Sequence, residues 1–150
     1  MIELNLPKIN AKIRELSGKR KIFDPIRKKY VVLTPEEWVR QHVIQFLIHH
    51  RKYPKGLLNV ESQVYFNNIS KRTDIVVYNK TATVLLVVEC KAADQPLMQS
   101  TIEQAAVYAF SLQSHYVVIT NGLDYYCYEL DYLTKKYTFL KDIPFYEEQV

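Results

Sequence analysis

The sequence predicts an α/β fold, a mixed β-sheet with helices packed on it. Three observations carry this. A helix start is written at Thr34-Pro35-Glu36-Glu37, three strand-like runs follow it, and a helical period then separates the third run from a fourth. A helix between two strands of one sheet is the mark of a parallel crossover. With 150 residues, 48% apolar content and three Gly, the chain suits one domain with a real core.

Residues 1–30 are weakly periodic. Leu4, Leu6, Ile9, Ile13 and Leu16 would line a short helix after Pro7. Lys19-Arg20-Lys21 and Arg27-Lys28-Lys29 place six basic residues in eleven positions. Such a segment follows a phosphate backbone or stands as a solvated arm. Thr34 suits the N-cap, Pro35 the first helical position and Glu37 the third position of a capping box. The helix should run to about Arg51 with Val39, Val43, Phe46 and Leu47 buried, and end before Pro54 and Gly56. Strands are expected over 60–66, 74–78 and 84–90, the last two joined by a hairpin turn at Asn79–Ala82. A second helix reads from Met98 to Gln113 with Ile102, Ala105, Ala106, Ala109 and Phe110 inward. His115–Thr120 is a short strand closed by Asn121-Gly122, and 125–130 and 137–140 form a final hairpin. The expected organisation is a single domain over 1–150: a basic N-terminal segment (1–30), an αβββαβ core (31–130) and a C-terminal extension (131–150).

Several function classes have no support. No apolar run approaches the roughly 20 residues that cross a bilayer. Met1–Asn5 lacks the basic-then-apolar form of a signal peptide. Cys90 and Cys127 sit in apolar strand contexts and read as buried free thiols in a reducing compartment, the cytoplasm. There is no G-x-x-x-x-G-K-S/T loop, hence no ATP site in this chain. Serine-hydrolase and zinc motifs are absent too. His49-His50 has no acidic residue or Cys at ligand spacing and reads as a helix-end pair favouring the macrodipole.

The chemistry concentrates at the end of Val84-Leu85-Leu86-Val87-Val88, which runs into Glu89-Cys90-Lys91. In an extended strand Glu89 and Lys91 share a face. Antiparallel pairing about the 79–82 turn sets Asp74 opposite Val87 or Glu89, and both have the parity of Lys91. Two carboxylates and a lysine sharing a site can hold a divalent metal and activate a water. The structural alternative is an ion pair, with Lys91 neutralising a Glu89 that would be costly to bury alone.

Asp74 followed by Glu89-Cys90-Lys91 resembles the pattern of the PD-(D/E)XK nuclease superfamily. Tyr30 to Gln41, Lys71 to Tyr78, Val88 to Ala92, Gln104 to Tyr108 and Ile119-Thr120-Asn121-Gly122 fall in an order similar to the nuclease-like N-terminal domain of type I restriction enzyme R subunits, over residues 20–130. Thr73 stands where the superfamily name has Pro. The resemblance implies a restriction-endonuclease-like fold with the αβββαβ core. It also implies an Mg²⁺ or Mn²⁺ site made by Asp74, Glu89 and the backbone carbonyl of Cys90. Lys91 would orient the attacking water and stabilise charge on the phosphate. The family's helix-one pattern of Glu with Arg four residues on fits Glu36 and Arg40. At about 100° per residue Glu36 lies on the side of Val43 and Leu47, so Glu36 is expected in the site and Glu37 in the cap, the two being adjacent and interchangeable by sequence. Gln104, backed by Tyr108 at i+4, would reach the site's edge. Lys19, Arg20, Lys21, Arg27, Lys28, Lys29, Arg40 and Asn121 are the candidate nucleic-acid contacts.

The expected function is metal-dependent endonucleolytic hydrolysis of DNA in a restriction-type system, with DNA and other restriction subunits as partners. The alternative is a catalytically silent nuclease-fold module that binds nucleic acid or a partner subunit. A third reading is a structural domain whose acids and lysine form only an ion-pair network.

Overall fold

The computed structural model describes residues 1–147. In chain order it has β1 (Ile13–Leu16), β2 (Lys19–Asp24), β3 (Lys29–Val32), α1 (Pro35–His50), a 3-10 turn (Lys55–Leu57), β4 (Leu58–Phe66), β5 (Ile69–Tyr78), β6 (Val84–Cys90), α2 (Gln99–Ser111), β7 (Tyr116–Thr120), β8 (Tyr125–Asp131) and β9 (Lys136–Leu140). The strands make two sheets, a meander β1-β2-β3 and a six-stranded sheet in the order β4-β5-β6-β7-β8-β9. Strands β6 and β7 run parallel across the α2 connection, and the other neighbours are antiparallel. This is the mixed α/β sheet with the αβββαβ order and terminal hairpin that the sequence predicts.

Local chemistry explains the boundaries. Thr34 is extended, and its Oγ1 accepts from the Glu37 amide at 3.0 Å. That satisfies one of the four amides left over at a helix start. From α1, Val39, Val43, Ile44 and Leu47 pack with Ile75, Val77, Leu86, Val88 and Val118 in one core. From α2, Ile102, Ala105 and Ala109 pack with Val76, Val87, Val117 and Ile119 in a second. Alternate residues of β5, β6 and β7 thus feed opposite cores, so these strands read as unbroken apolar runs. Each fully buried aliphatic side chain contributes about 1.5–3 kcal/mol.

The N-terminus departs from expectation. No helix follows Pro7; residues 13–32 form the β1-β2-β3 meander. The β1–β2 turn is Ser17-Gly18 with φ of 53° and 74°, the positive angles that a two-residue hairpin loop requires. Leu4 instead enters the α1 core, anchored by the Asn5 amide donating to the Gly122 carbonyl at 2.8 Å. Gly122 has φ +84°, and a Cβ there would lie 2.8 Å from the Leu4 side chain, so the turn needs glycine twice over. The chain after β9 also returns to this core, with Ile143 buried and the Tyr146 amide donating to the Arg51 carbonyl at 2.8 Å. Residues 148–150 of the expected C-terminal extension lie outside the described residues.

One irregularity positions the site. Val60 belongs to the α1 core and Val64 to the α2 core, although strict alternation puts both on one face. The pairing does not slip: Val60 meets Ile75 and Ser62 meets Thr73. Between them Glu61 takes φ 51°, the left-handed region that L-residues seldom occupy, and there the β4–β5 ribbon turns over.

Candidate active site

Glu61 and Asp74 face each other where the ribbon turns over. Ile75 pairs with Val88, so the next step of the ladder brings Asp74 beside Glu89, one of the two registers the sequence leaves open. Asp74 lies within β5 rather than at its start. The Cys90 amide donates to Asp74 Oδ2 at 2.7 Å, which fixes the carboxylate. Its other oxygen, Oδ1, accepts from Arg40 Nη2 at 2.9 Å. The same Nη2 reaches Glu61 Oε1 at 2.7 Å and Glu36 Oε1 at 3.1 Å, while Nη1 donates to Glu37 Oε1 at 2.6 Å. Nη2 carries two protons, so three carboxylate oxygens share them. Glu36, Glu61 and Asp74 each present an oxygen within 4.8 Å of the others.

The charges are strongly coupled. Burial pushes the Glu36 carboxyl above its ordinary value, and the neighbouring Asp74 charge adds to this. Burial followed by Asp74 does the same to Glu89. Glu61 goes the other way: burial pushes it up, but Arg72 and Arg40 outweigh burial and hold it down. For Arg40, burial opposes the charge, and Glu37 and Asp74 more than restore it. Lys91 Nζ stands 3.6 Å from Glu89 Oε1, and the two side chains are 36% and 39% exposed. Glu89 is therefore not the sealed carboxylate that the apolar run suggests. A pair so placed contributes at most about 1 kcal/mol.

The remaining expected residues divide clearly. Glu37 takes the Thr34 cap through its amide, yet its carboxylate does not reach back as a capping box requires. It turns inward to Arg27 at 2.8 Å, Arg40 and Gln41. Arg27 also grips buried Asp24 at 2.7 Å. Burial pushes the Asp24 carboxyl up, but hydrogen bonds from Arg27 and the Ile26 amide hold it below its ordinary range. Arg27 and Arg40 are thus internal counter-charges rather than surface contacts. Lys19, Arg20, Lys28 and Lys29 are exposed and Lys21 half-buried, all on or beside the meander. Asn121 is buried: its Nδ2 donates to the Gln95 carbonyl and its Oδ1 accepts from the Leu123 and Asp124 amides, so its side chain closes the β7–β8 turn. Gln104 is exposed and donates to the Tyr108 hydroxyl at 2.9 Å, at the edge of a cleft that Tyr108 lines together with Lys71 and Glu89. Cys90 pairs with Thr120 in the β6–β7 ladder, and its amide, not its carbonyl, contacts Asp74.

Glu61 is the residue that sequence reasoning missed. A signal was present. Counting back from a two-residue turn at Asn67-Asn68, where both φ values are positive, pairs position 61 with 74.

Sequence and fold place the chain among known proteins. The sequence model described as "Type I restriction enzyme R protein N terminus" matches residues 35–144. A solved fragment assigned to an HsdR subunit of a type I restriction enzyme from Vibrio vulnificus YJ016 is similar in fold, with a TM-score of 0.51 and 23% identity over 75% of this chain. This chain covers 24% of that one, about a quarter of its length. No curated protein matches. A family match that spans both helices and all six strands of the main sheet settles the relationship: the chain belongs to the family of type I restriction enzyme R protein N-termini.

Proposed function

We propose that this domain hydrolyses DNA phosphodiester bonds with Mg²⁺ or Mn²⁺, as the nuclease part of a restriction-type system whose other subunits are its partners. The observation that carries the reading is the meeting of Glu36, Glu61 and Asp74 oxygens within 4.8 Å, beside a Glu89–Lys91 pair open to solvent.

The donors fit a hard divalent cation. All are carboxylate oxygens, the chemistry Mg²⁺ and Mn²⁺ take. The three oxygens, within 4.8 Å of one another, would have to draw closer to share one ion whose oxygen ligands lie about 2.0–2.1 Å from it. Asp74, Glu36 and Glu61 would hold the ion with Glu89 at its flank, and Arg40 would give up Nη2 contacts while keeping Glu37. The chemistry supplied is polarisation of the scissile phosphate and a lowered pKa for a water. The Cys90 amide holds Asp74 in place, and Lys91, partly exposed, meets charge developing on the phosphate.

A second reading has its own observation. Arg40 already donates to the three oxygens an ion would take. In a catalytically silent module this guanidinium is the permanent counter-charge. Thermal melts with and without MnCl₂ separate the two readings, because a ligand that binds the native state raises its melting temperature. The nuclease reading expects a shift of several degrees that Asp74→Ala abolishes, together with Mg²⁺-dependent nicking of plasmid when partner subunits are supplied. No shift in the wild type, or an equal shift in the variant, removes the metal site.

A further inference from the structure

The β1-β2-β3 meander lies outside the residues matched by the family, and its charges are sorted by face. Residues 12–32 hold eight Lys and Arg against two acids. Arg14 pairs with Lys21 and Leu16 with Lys19 across β1–β2, and Phe23 pairs with Tyr30 across β2–β3. The Phe23 amide donates to the Lys12 carbonyl at 2.9 Å, which brings Lys12 to the same ladder. Side chains alternate along a strand, so Lys12, Arg14, Lys19, Lys21, Phe23 and Tyr30 share one face. Both acids, Glu15 and Asp24, fall on the other, where Ile22 and Asp24 are buried.

The acid-free face is also organised. Arg14 Cζ lies 5.0 Å over the Tyr30 ring and Lys12 Nζ 5.7 Å over Phe23. The two rings meet edge-on with centroids 5.3 Å apart. Cations laid on aromatic rings are held in place without losing their charge. Among the described residues none of the four cations pairs with a carboxylate. Neighbours along a strand are about 7 Å apart, within the Debye length of roughly 8–10 Å at ordinary salt, so their fields add.

We propose that this face binds the phosphate backbone of DNA, as a surface distinct from the acid cluster and independent of whether that cluster cuts. Acid-free positive charge on a sheet face complements a polyanion. An anionic membrane is the less suitable partner, since the aromatic rings lie under the cations rather than projecting as an inserting edge.

The test uses the full chain in EDTA, with fluorescence anisotropy of a short fluorescein-labelled duplex across a salt series. Each phosphate contact contributes about 0.9 to the salt slope. The double variant Arg14→Gln/Lys21→Gln should flatten the slope by about 2 and weaken binding roughly ten-fold or more. Arg20→Gln/Lys29→Gln removes the same charge from the opposite face and should leave the slope nearly as it was. Because EDTA keeps any ion out of the acid cluster, binding under these conditions reports on this surface alone and keeps its failure distinct from failure of the nuclease reading. Melting temperatures of both double variants confirm that they fold. Equal losses from the two faces would reduce the effect to net charge and overturn the proposal. So would binding of phosphatidylserine vesicles without binding of the duplex, or a wild type with no salt-dependent binding.

Discussion

Replacing Arg40 by Met tests the centre of the site most directly. Arg40 is about 5% exposed, and its guanidinium is the shared donor to Glu36, Glu37, Glu61 and Asp74. Methionine fills much of the volume but leaves these carboxylates facing one another. Glu37 keeps Arg27 at 2.8 Å and Glu61 keeps Arg72 at 2.9 Å, and the Glu36 side chain is 45% exposed to water, so the loss falls mainly on buried Asp74. Removing one partner from a buried ion pair costs about 3–5 kcal/mol. For a chain of this size that is a fall of roughly 6–20 °C in melting temperature. The assay is thermal and urea denaturation of Arg40→Met and wild type, each in EDTA and in MnCl₂. If the oxygens can hold an ion, Mn²⁺ should restore about 2.7 kcal/mol at a hundred-fold excess over its dissociation constant, and the variant should gain more than the wild type because no guanidinium competes. A loss below about 1 kcal/mol in EDTA, the range of an exposed pair, would refute the claim that Arg40 compensates the cluster. A full loss without Mn²⁺ rescue would leave the guanidinium as a structural lock.

Two further outcomes follow from the same geometry. Lys91→Ala should change stability by no more than about 1 kcal/mol, since the pair with Glu89 is over a third exposed, and should leave Mn²⁺ and DNA binding intact. Plasmid cleavage should fall by about a hundred-fold or more, and a variant that cuts normally would remove Lys91 from the chemistry. The pH response should carry the sign of Glu89: its native carboxyl takes up a proton above the ordinary 4.5, so the native state binds protons before the unfolded chain does. In EDTA the wild type should therefore gain stability relative to Glu89→Gln as pH falls from neutral through the raised value, with the gain complete near 4.5. Asp24 and Glu61, held down, lose their contributions only at lower pH and do so in both proteins. Urea midpoints across that range would show it, and a wild type that loses ground to the variant would contradict the assigned direction.

Much of the frame was legible because its signals are local. Thr34-Pro35 starts α1, the apolar runs mark β5 to β7, and Asn121-Gly122 closes a turn that only glycine fits. Asp74, Glu89 and Lys91 could be brought together from strand parity alone. The meander was not legible. Its strands are four to six residues long, mostly exposed, and in β2 the buried positions are an Ile and an Asp, so no apolar period announces them. The basic run there looked uniform, while the structure divides it into a half-buried Arg27 paired with Asp24 and Glu37 and lysines without such partners among the described residues, most of them exposed. Glu61 escaped because its neighbours Ser62 and Gln63 are polar and its backbone departs from the strand, so burial on either face gave no cue. Arg40 was expected to follow Glu36 in the helix-one pattern and to contact nucleic acid; a helix period says which way a side chain leaves, not how many acids from other elements will surround it.

The left-handed backbone at Glu61 has a structural consequence. Because the ribbon changes sides there, residues before it rest on α1 and residues after it rest on α2, and the acid cluster sits at the changeover. One ribbon thereby serves both cores, Val60 in that of α1 and Val64 in that of α2, while Glu61 and Asp74 stay opposite each other between them.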